Sequence, residues 1–399
     1  MTDVRFSRRT AWTRLDLAPR DASTPLLDLT ESNPTRCALF ASEPLVAALG
    51  HPRGARYEPD SIGERSARDA IAADYATRGI ALDSSRIVLS ASTSEAYGWL
   101  FKLLCDRGGD GDEVLIARPS YPLFDLLADL EDVKLVRFPL MRESRWRPDV
   151  NALDQAITRS TRAIVLVHPN NPTGTFLRRD DARAIDEMAA KYGLALIVDE
   201  VFGDYGRGVD EARLPSFAHA SHTSCALTFV MSGLSKVMAL PQLKLAWTIV
   251  RGPDALVKEA LARLELVADA YLSVATPVQR ALAEILPARA VVQAQVMARL
   301  GENLAALDAA LERFAAHVGA RRLAFDGGWC ALVELPRTMS DVAWVEWLRT
   351  RAGVLVQPGS FFDFEREATI VVSLLPPVAD FRRAAEAFAI AISDGVANT

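Results

Sequence analysis

What most constrains this 399-residue chain is a repeated alternation of short runs of Val, Ile and Leu with amphipathic stretches of helical period. The apolar runs fall at 86–89, 113–117, 163–167, 194–198, 227–231 and 245–250, and the helical stretches at 63–78, 94–105, 178–192 and 253–268. Apolar runs of this length suit strands buried on both faces, and the helices between them are what crossovers between parallel strands require. The pattern predicts a doubly wound, mostly parallel α/β sheet spanning residues 45–285. A long amphipathic helix at 289–314 then leads into strands near 330–334, 354–357 and 370–374 and a closing helix at 380–392. These read as a smaller α+β domain over 286–399. The first 44 residues contain prolines, are weakly periodic, and are expected to pack on that smaller domain.

Charge and cysteine usage exclude several classes of function. The net charge is −6 and the Lys and Arg residues are scattered, so no nucleic-acid or anionic-membrane partner is expected. Residues 1–16 are polar, without the apolar core of a signal peptide, and no run of about 18 apolar residues suggests a membrane span. A cytoplasmic protein is expected. Cys37, Cys105, Cys225 and Cys330 lie far apart, and the five histidines do not pair at ligand spacing. Free thiols and no catalytic metal follow from that spacing.

In open α/β sheets ligands bind beyond the carboxyl ends of the strands, so the residues that follow each apolar run carry the chemistry. They are Ser90-Ala91-Ser92-Thr93-Ser94-Glu95, Arg118-Pro119-Ser120-Tyr121, His168-Pro169-Asn170-Asn171-Pro172-Thr173-Gly174, Asp199-Glu200-Val201-Phe202 and Ser232-Gly233-Leu234-Ser235-Lys236. Singly each has an ordinary structural reading. A Ser/Thr turn caps a helix, Asn-Pro-Thr-Gly makes a turn, a strand-end Asp caps, a Lys is solvated and a Tyr packs. Together they answer one specification: an amine to form an imine, an acid to keep a pyridine nitrogen protonated, donors for a phosphate and a flat face for stacking. That is the specification of a pyridoxal 5′-phosphate site.

Asn-Asn-Pro-Thr-Gly at 170–174, Asp-Glu at 199–200 and Ser-Gly-Leu-Ser-Lys at 232–236 resemble the signature of the class I/II aminotransferases, enzymes of pyridoxal-phosphate fold type I. The likeness extends to Tyr57 with Gly63 and Arg68, to Gly327-Gly328-Trp329, and to the run 354–361, so it covers nearly the whole chain. It implies a doubly wound large domain with a smaller α+β domain, and ping-pong transfer of an amino group from an amino acid to a 2-oxo acid. On this resemblance Lys236 forms the internal aldimine and moves the proton, and Asp199 pairs with the pyridinium nitrogen. Asn171 bonds the ring 3-oxygen and touches the substrate carboxylate, and Tyr121 stacks on the ring. Ser92, Thr93, Ser94, Ser235 and Lys244 hold the phosphate, with Lys244 where the family usually has Arg. Tyr57 reaches the phosphate of a neighbouring subunit, which implies a homodimer.

The sequence also departs from the pattern. Phe202 replaces a Tyr that would bond the 3-oxygen, which should raise the imine pKa. Gly233 stands where the phosphate cup often has Ser. Val371 stands where the family places its carboxylate-binding Arg, so a buried substrate carboxylate needs another partner. The stretch 31–36 resembles the family's mobile closing segment and offers Arg36 for that task, helped by Asn171; a plain surface role for Arg36 remains the alternative. Two further readings stay open. One is a lyase, decarboxylase or acyltransferase on the same fold, and the other is a non-catalytic regulator, against which Lys236, Asp199 and Asn171 together argue.

Overall fold

The computed structural model describes residues 6–12, 26–50, 52–106, 111–143, 145–208, 210–219, 222, 224–365 and 368–397. Eight strands form the central sheet: β1 (Ile87–Ser90), β2 (Glu113–Arg118), β3 (Lys134–Arg142), β4 (Trp146–Pro148), β5 (Thr161–Val167), β6 (Ala195–Asp199), β7 (Thr228–Gly233) and β8 (Ala246–Arg251). Their spatial order is β1-β8-β7-β6-β5-β2-β3-β4. The block from β7 to β3 is parallel, β8 runs antiparallel between β1 and β7, and β4 folds back on β3.

Side chains alternate across the pleat, so each buried strand feeds two cores. Leu89, Leu115, Ile164 and Leu166 join one apolar cluster, and Val88, Val114, Ile116 and Val165 join the other. Helices Arg65–Ala76, Arg179–Tyr192 and Thr276–Ile285 supply apolar faces to the first core, while Thr93–Leu104, Leu123–Glu131 and Asp254–Asp269 cover the second. This double covering is why the strands read as continuous hydrophobic runs. The β3–β4 ribbon has no such signature. Only Phe138 of β3 is buried, Pro139 interrupts the run, and the strand lies at the sheet's margin where alternation is not required.

A second sheet, antiparallel throughout, has the order Arg321–Arg322, Cys330–Glu334, Thr369–Ser373, Gln357–Pro358. The single strand expected at 354–357 is divided. Val354–Leu355 pairs in parallel with Leu27–Asp28, and Gln357–Pro358 turns to join the antiparallel sheet. The Leu29 N–H donates to the Leu355 carbonyl (2.9 Å), and the Ser373 N–H donates to the Leu29 carbonyl (2.7 Å). Residues 6–12 depart from the expectation for the N-terminal 44. They lie against helix Leu123–Glu131 of the central sheet, with Arg8 3.2 Å from Asp132 and Trp12 Nε1 donating to Asp129 (3.0 Å). Residues 1–5 and 13–25 lie outside the described residues.

Two of the sequence motifs are structural clamps. Arg68 is buried; its Nε donates to the Gly63 carbonyl (2.8 Å) and its Nη1 to the Ser84 carbonyl (3.1 Å), which fixes the turn where Gly63 takes φ +98°. The turn at 170–174 meets the turn at 326–328 backbone to backbone. The Asp326 N–H donates to the Gly174 carbonyl (3.0 Å) and the Gly328 N–H to the Tyr205 carbonyl (3.0 Å). Gly174 has φ +68°, and a methyl group there would overlap the Gly327 carbonyl. Replacing Gly174 with Ala is therefore expected to cost about 2–4 kcal/mol in urea unfolding. Gly79→Ala is the control, because Gly79 has φ +75° but open space around it. It should cost only about 1 kcal/mol. Equal losses at the two sites would remove the steric part of the argument.

Candidate active site

The parallel strands bring the ends of β2, β5, β6 and β7 to one edge of the sheet. Strand β8 runs the other way, so its first residue, Ala246, pairs with Gly233 and Ser90 at that same edge. Lys244, far from Ser92 in sequence, thereby reaches the same cavity. A cavity of about 490 Å³ opens there. Ser92, Thr93, Ser94, Tyr121, Asn171, Asp199, Ser235, Lys236 and Lys244 all line it.

At one end stands the start of helix Thr93–Leu104. Ser92 is its extended N-cap, and its Oγ accepts from the Glu95 N–H (3.1 Å). The Glu95 carboxylate reaches back to the Ala91 N–H (2.7 Å) and accepts from Ser273 Oγ (2.7 Å). With Glu95 N–H occupied, the first-turn N–H groups of Thr93 and Ser94 remain for an anion, at the positive end of the helix dipole. Gly233 on the opposite wall is in extended conformation, and a Cβ there would meet the Ala246 Cβ at 2.9 Å. The close approach of β8, not backbone torsion, accounts for glycine at this position.

Asp199 ends β6 and is buried. Its Oδ1 accepts from the Val201 N–H (3.0 Å) and its Oδ2 from the Tyr97 hydroxyl (3.2 Å). Burial pushes its carboxyl up to about 6, against the pull of these two bonds and of Lys236. Lys236, in the short helix Leu234–Val237, has its ammonium 4.7 Å from the centre of the Trp329 ring and 5.3 Å from that of Phe202. Burial lowers its pKa, and Cys330 and Asp199 only partly oppose the shift. The Tyr205 hydroxyl donates to the Lys236 carbonyl (2.5 Å), which pins the backbone under the amine. Cys330 shares this pocket, and burial raises its thiol to about 11.

The adjacent asparagines divide their duties. Asn170 is buried and braces the turn, its Nδ2 donating to Thr173 Oγ1 (2.9 Å) and the Pro119 carbonyl (3.3 Å). Asn171 lines the cavity. Neither Tyr57, expected at the site of a neighbouring subunit, nor Arg36, offered for the substrate carboxylate, lines this cavity. Tyr57 is 70% exposed and borders a separate small cleft with Trp99 and Leu272. The Arg36 side chain is 73% exposed and sits 3.3 Å from Glu31, so in this arrangement it faces solvent rather than the cavity. The same N-terminal stretch contributes Thr30 and Ser32 to the wall instead. Val371 is buried with Leu332, Phe362 and Phe364, so apolar packing replaces a cation at its position.

Sequence reasoning missed Tyr97, Cys330, Gln357 and Ser373, all on the wall. Tyr97 was within reach: it lies four residues after Thr93, on the same face of the helix. The other three sit on strands whose facing is set only by the antiparallel sheet, and nothing local in the sequence marks them.

A buried amine and a buried carboxylate without an ion-pair partner among the described residues share this cavity with an anion-ready helix start and Lys244. That donor set fits pyridoxal phosphate: its charged ring nitrogen would meet Asp199, its phosphate the helix start, and its aldehyde Lys236. Among the described residues no group of His, Cys, Asp and Glu could hold a metal ion, and no helix is long and apolar enough to cross a membrane.

The family model for aminotransferase class I and II matches residues 29–388. The chain belongs to that family. It is 29% identical over 262 residues to glutamate-pyruvate aminotransferase AlaA of Haemophilus influenzae, covering 64% of this chain and 62% of that one. It is 26% identical over 280 residues to an S-alkyl-thiohydroximate lyase of Arabidopsis thaliana, covering 68% of this chain and 59% of that one. The matched stretch thus spans less than two thirds of either relative. In fold the chain resembles an alanine aminotransferase from Pyrococcus furiosus, with a TM-score of 0.83 and 24% identity over 93% of each chain.

The state of Asp199 can be tested without activity. Its proton is held more tightly in the folded chain than in the unfolded one. Its burial therefore removes stability from the apoprotein as pH rises from about 4 to about 6, and the deficit persists above that. Glu200, raised to about 7 by burial, acts in the same direction and is common to both proteins compared. Relative to wild type, apo Asp199→Asn should gain on the order of 2 kcal/mol in unfolding free energy between pH 4 and pH 8. A difference that does not vary with pH would mean that the Asp199 carboxyl has the same pKa folded and unfolded and is not raised by burial.

Proposed function

We propose that the chain is a pyridoxal phosphate-dependent aminotransferase that moves an amino group from an amino donor to a 2-oxo acid by a ping-pong mechanism. The observation that carries this reading is the presence of Lys236 and Asp199 in one cavity, an amine and a carboxylate each desolvated and neither in a salt bridge among the described residues. When bound, pyridoxal phosphate supplies a carbonyl for amines and a protonated ring that accepts the electron pair left when the donor's Cα–H bond breaks.

The position of these residues on one cavity wall supports the following part for the protein itself. Desolvation keeps the Lys236 amine free of its proton more readily than in water, so Nζ can act as nucleophile and then as base at the donor Cα. The Trp329 and Phe202 faces exclude water from it and limit its swing. Asp199 stays ionised beside a cation and holds that charge in place, while Tyr97 and the Val201 N–H orient its carboxylate. Ser92, Thr93, Ser94, Ser235 and Lys244 anchor the phosphate, Tyr121 offers the stacking face, and Asn171 bonds the ring oxygen. Phe202 brings no hydroxyl to that oxygen.

We further propose a large domain at 45–285, a small one at 286–399, and a homodimer in which exposed Tyr57 reaches the neighbouring site. Four free thiols, three of them raised by burial to about 11 or 12, suit a reducing compartment such as the cytoplasm.

Borohydride reduction of the holoenzyme followed by peptide mapping should place the cofactor on Lys236. Lys236→Ala should lose both that adduct and turnover while keeping its unfolding transition. An adduct on another lysine overturns the assignment. Reaction type is read separately. An amino donor should convert the bound cofactor stoichiometrically to pyridoxamine phosphate, and a 2-oxo acid should restore it. Ammonia or carbon dioxide released in every turnover would favour a lyase or decarboxylase instead.

A further inference from the structure

The cavity wall carries few charges. Of the described residues that line it, only Lys236, Lys244 and Asp199 are ionic, and the proposed function commits all three to the cofactor. Part of the remaining wall comes from the N-terminal stretch and the antiparallel sheet. It offers neutral donors, Thr30, Ser32, Gln357 and Ser373, and of these Ser373 Oγ already donates to the Glu31 carbonyl (2.6 Å).

The arginines nearest along the chain are occupied elsewhere. Arg118 is bound to Asp363 (3.1 Å) and Glu365 (2.8 Å), and Arg36 pairs with Glu31 (3.3 Å). What the wall does supply is aromatic surface in two edge-on groups. Phe202 and Trp329 stand 5.4 Å apart at 68° beside the Lys236 amine. Phe361 and Phe362 stand 5.3 Å apart at 88°, with Tyr121 6.5 Å from Phe362.

We propose that the substrate half of this cavity is built for amino donors with an uncharged, ring-sized apolar body, and that no carboxylate of the donor is held there by an ion pair. The inference rests on the aminotransferase reading and deepens it. A second carboxylate, as in an acidic amino acid, would be desolvated with no free cation among the described lining residues to receive it, and neutral donors offset only part of that cost. A ring gains burial and edge-to-face contact against the two aromatic groups. The α-carboxylate, where the donor has one, meets only hydroxyl and amide groups, so removing it costs little.

The test is single-turnover conversion of the cofactor in the holoenzyme, which needs no acceptor. Phenylalanine, phenethylamine, alanine and glutamate are compared by second-order rate constant. Phenylalanine should exceed glutamate by at least ~10²-fold, a difference of about 2.7 kcal/mol, and phenethylamine should fall within about tenfold of phenylalanine. Phe361 is 43% exposed, and Phe361→Ala should lower the phenylalanine rate at least about tenfold, and at least about fivefold more than it lowers the alanine rate.

Fast conversion by glutamate would overturn the inference and leave the aminotransferase reading standing, with a cation then supplied by a second copy of the chain. Loss of more than ~10²-fold on removing the carboxylate would overturn it as well. Conversion by none of the donors would overturn both.

Discussion

The site depends on a close approach of backbone to backbone between two turns. The turn at 170–174 and the turn at 326–328 approach so closely that Gly174 meets the Gly327 carbonyl and Gly327 meets the Tyr205 carbonyl, with no room for a β-carbon at either glycine. That approach locks the end of β5, the loop after β6 and the entrance to strand Cys330–Glu334 into one unit. The consequences are chemical. Trp329 is delivered onto the Lys236 amine, Cys330 onto the same wall, and Tyr205 beneath the lysine backbone. A side chain at either glycine would push the antiparallel sheet away from the edge of the central one, and with it the cavity-wall residues Trp329, Cys330, Gln357 and Ser373.

The second constraint is electrostatic. Asp199 and Lys236 are both carried into a poorly solvated cavity, and burial moves each toward its neutral form, the acid upward and the amine downward. Among the described residues neither has an ion-pair partner that would make the burial favourable for the protein alone. Such unreconciled charge is costly to stability and is what a ligand of complementary charge relieves. A bound group that is cationic at one point and electrophilic at another would stabilise the fold and be activated by it in the same contacts. The neighbouring anion end follows the same logic: Ser92 satisfies one N–H of the helix start and leaves two for a ligand.

Much of the architecture was legible because it is written in period. Strands covered on both faces must be apolar at every residue, and β1, β6 and β7 are buried throughout. The residues after each strand could be read as one site because parallel strands share an edge. Lys244 was found by resemblance, and its placement depends on the antiparallel insertion of β8, which no local pattern announces. The β3–β4 ribbon was invisible because a marginal strand need not alternate. The resemblance of its segment points Arg36 toward the site, but Glu31, five residues before it, pairs with it at 3.3 Å and leaves its side chain largely exposed. Tyr97 was overlooked although helical spacing from Thr93 put it on the right face.

Adjacent pairs mark where a motif stops being informative. Asn170 and Asn171 have the same chemistry, as Asp199 and Glu200 nearly do, yet each pair splits between scaffold and site. At the end of a strand successive residues face opposite sides. Asp199 therefore turns to the cavity and Tyr97, while Glu200 turns away to receive Ser216 Oγ (2.6 Å) and the Phe217 N–H (2.7 Å). The Glu200 N–H also donates to the Met231 carbonyl (2.8 Å), so the residue behind Asp199 is tied to β7 and to the 216–217 loop at once. In the same way Asn170 is held by Thr173 and the Pro119 carbonyl, and its immobility is what gives Asn171 a fixed direction. The pair is thus a functional unit of unequal parts. One residue presents a polar group to the cavity, and the next spends its own polar group on holding the backbone still.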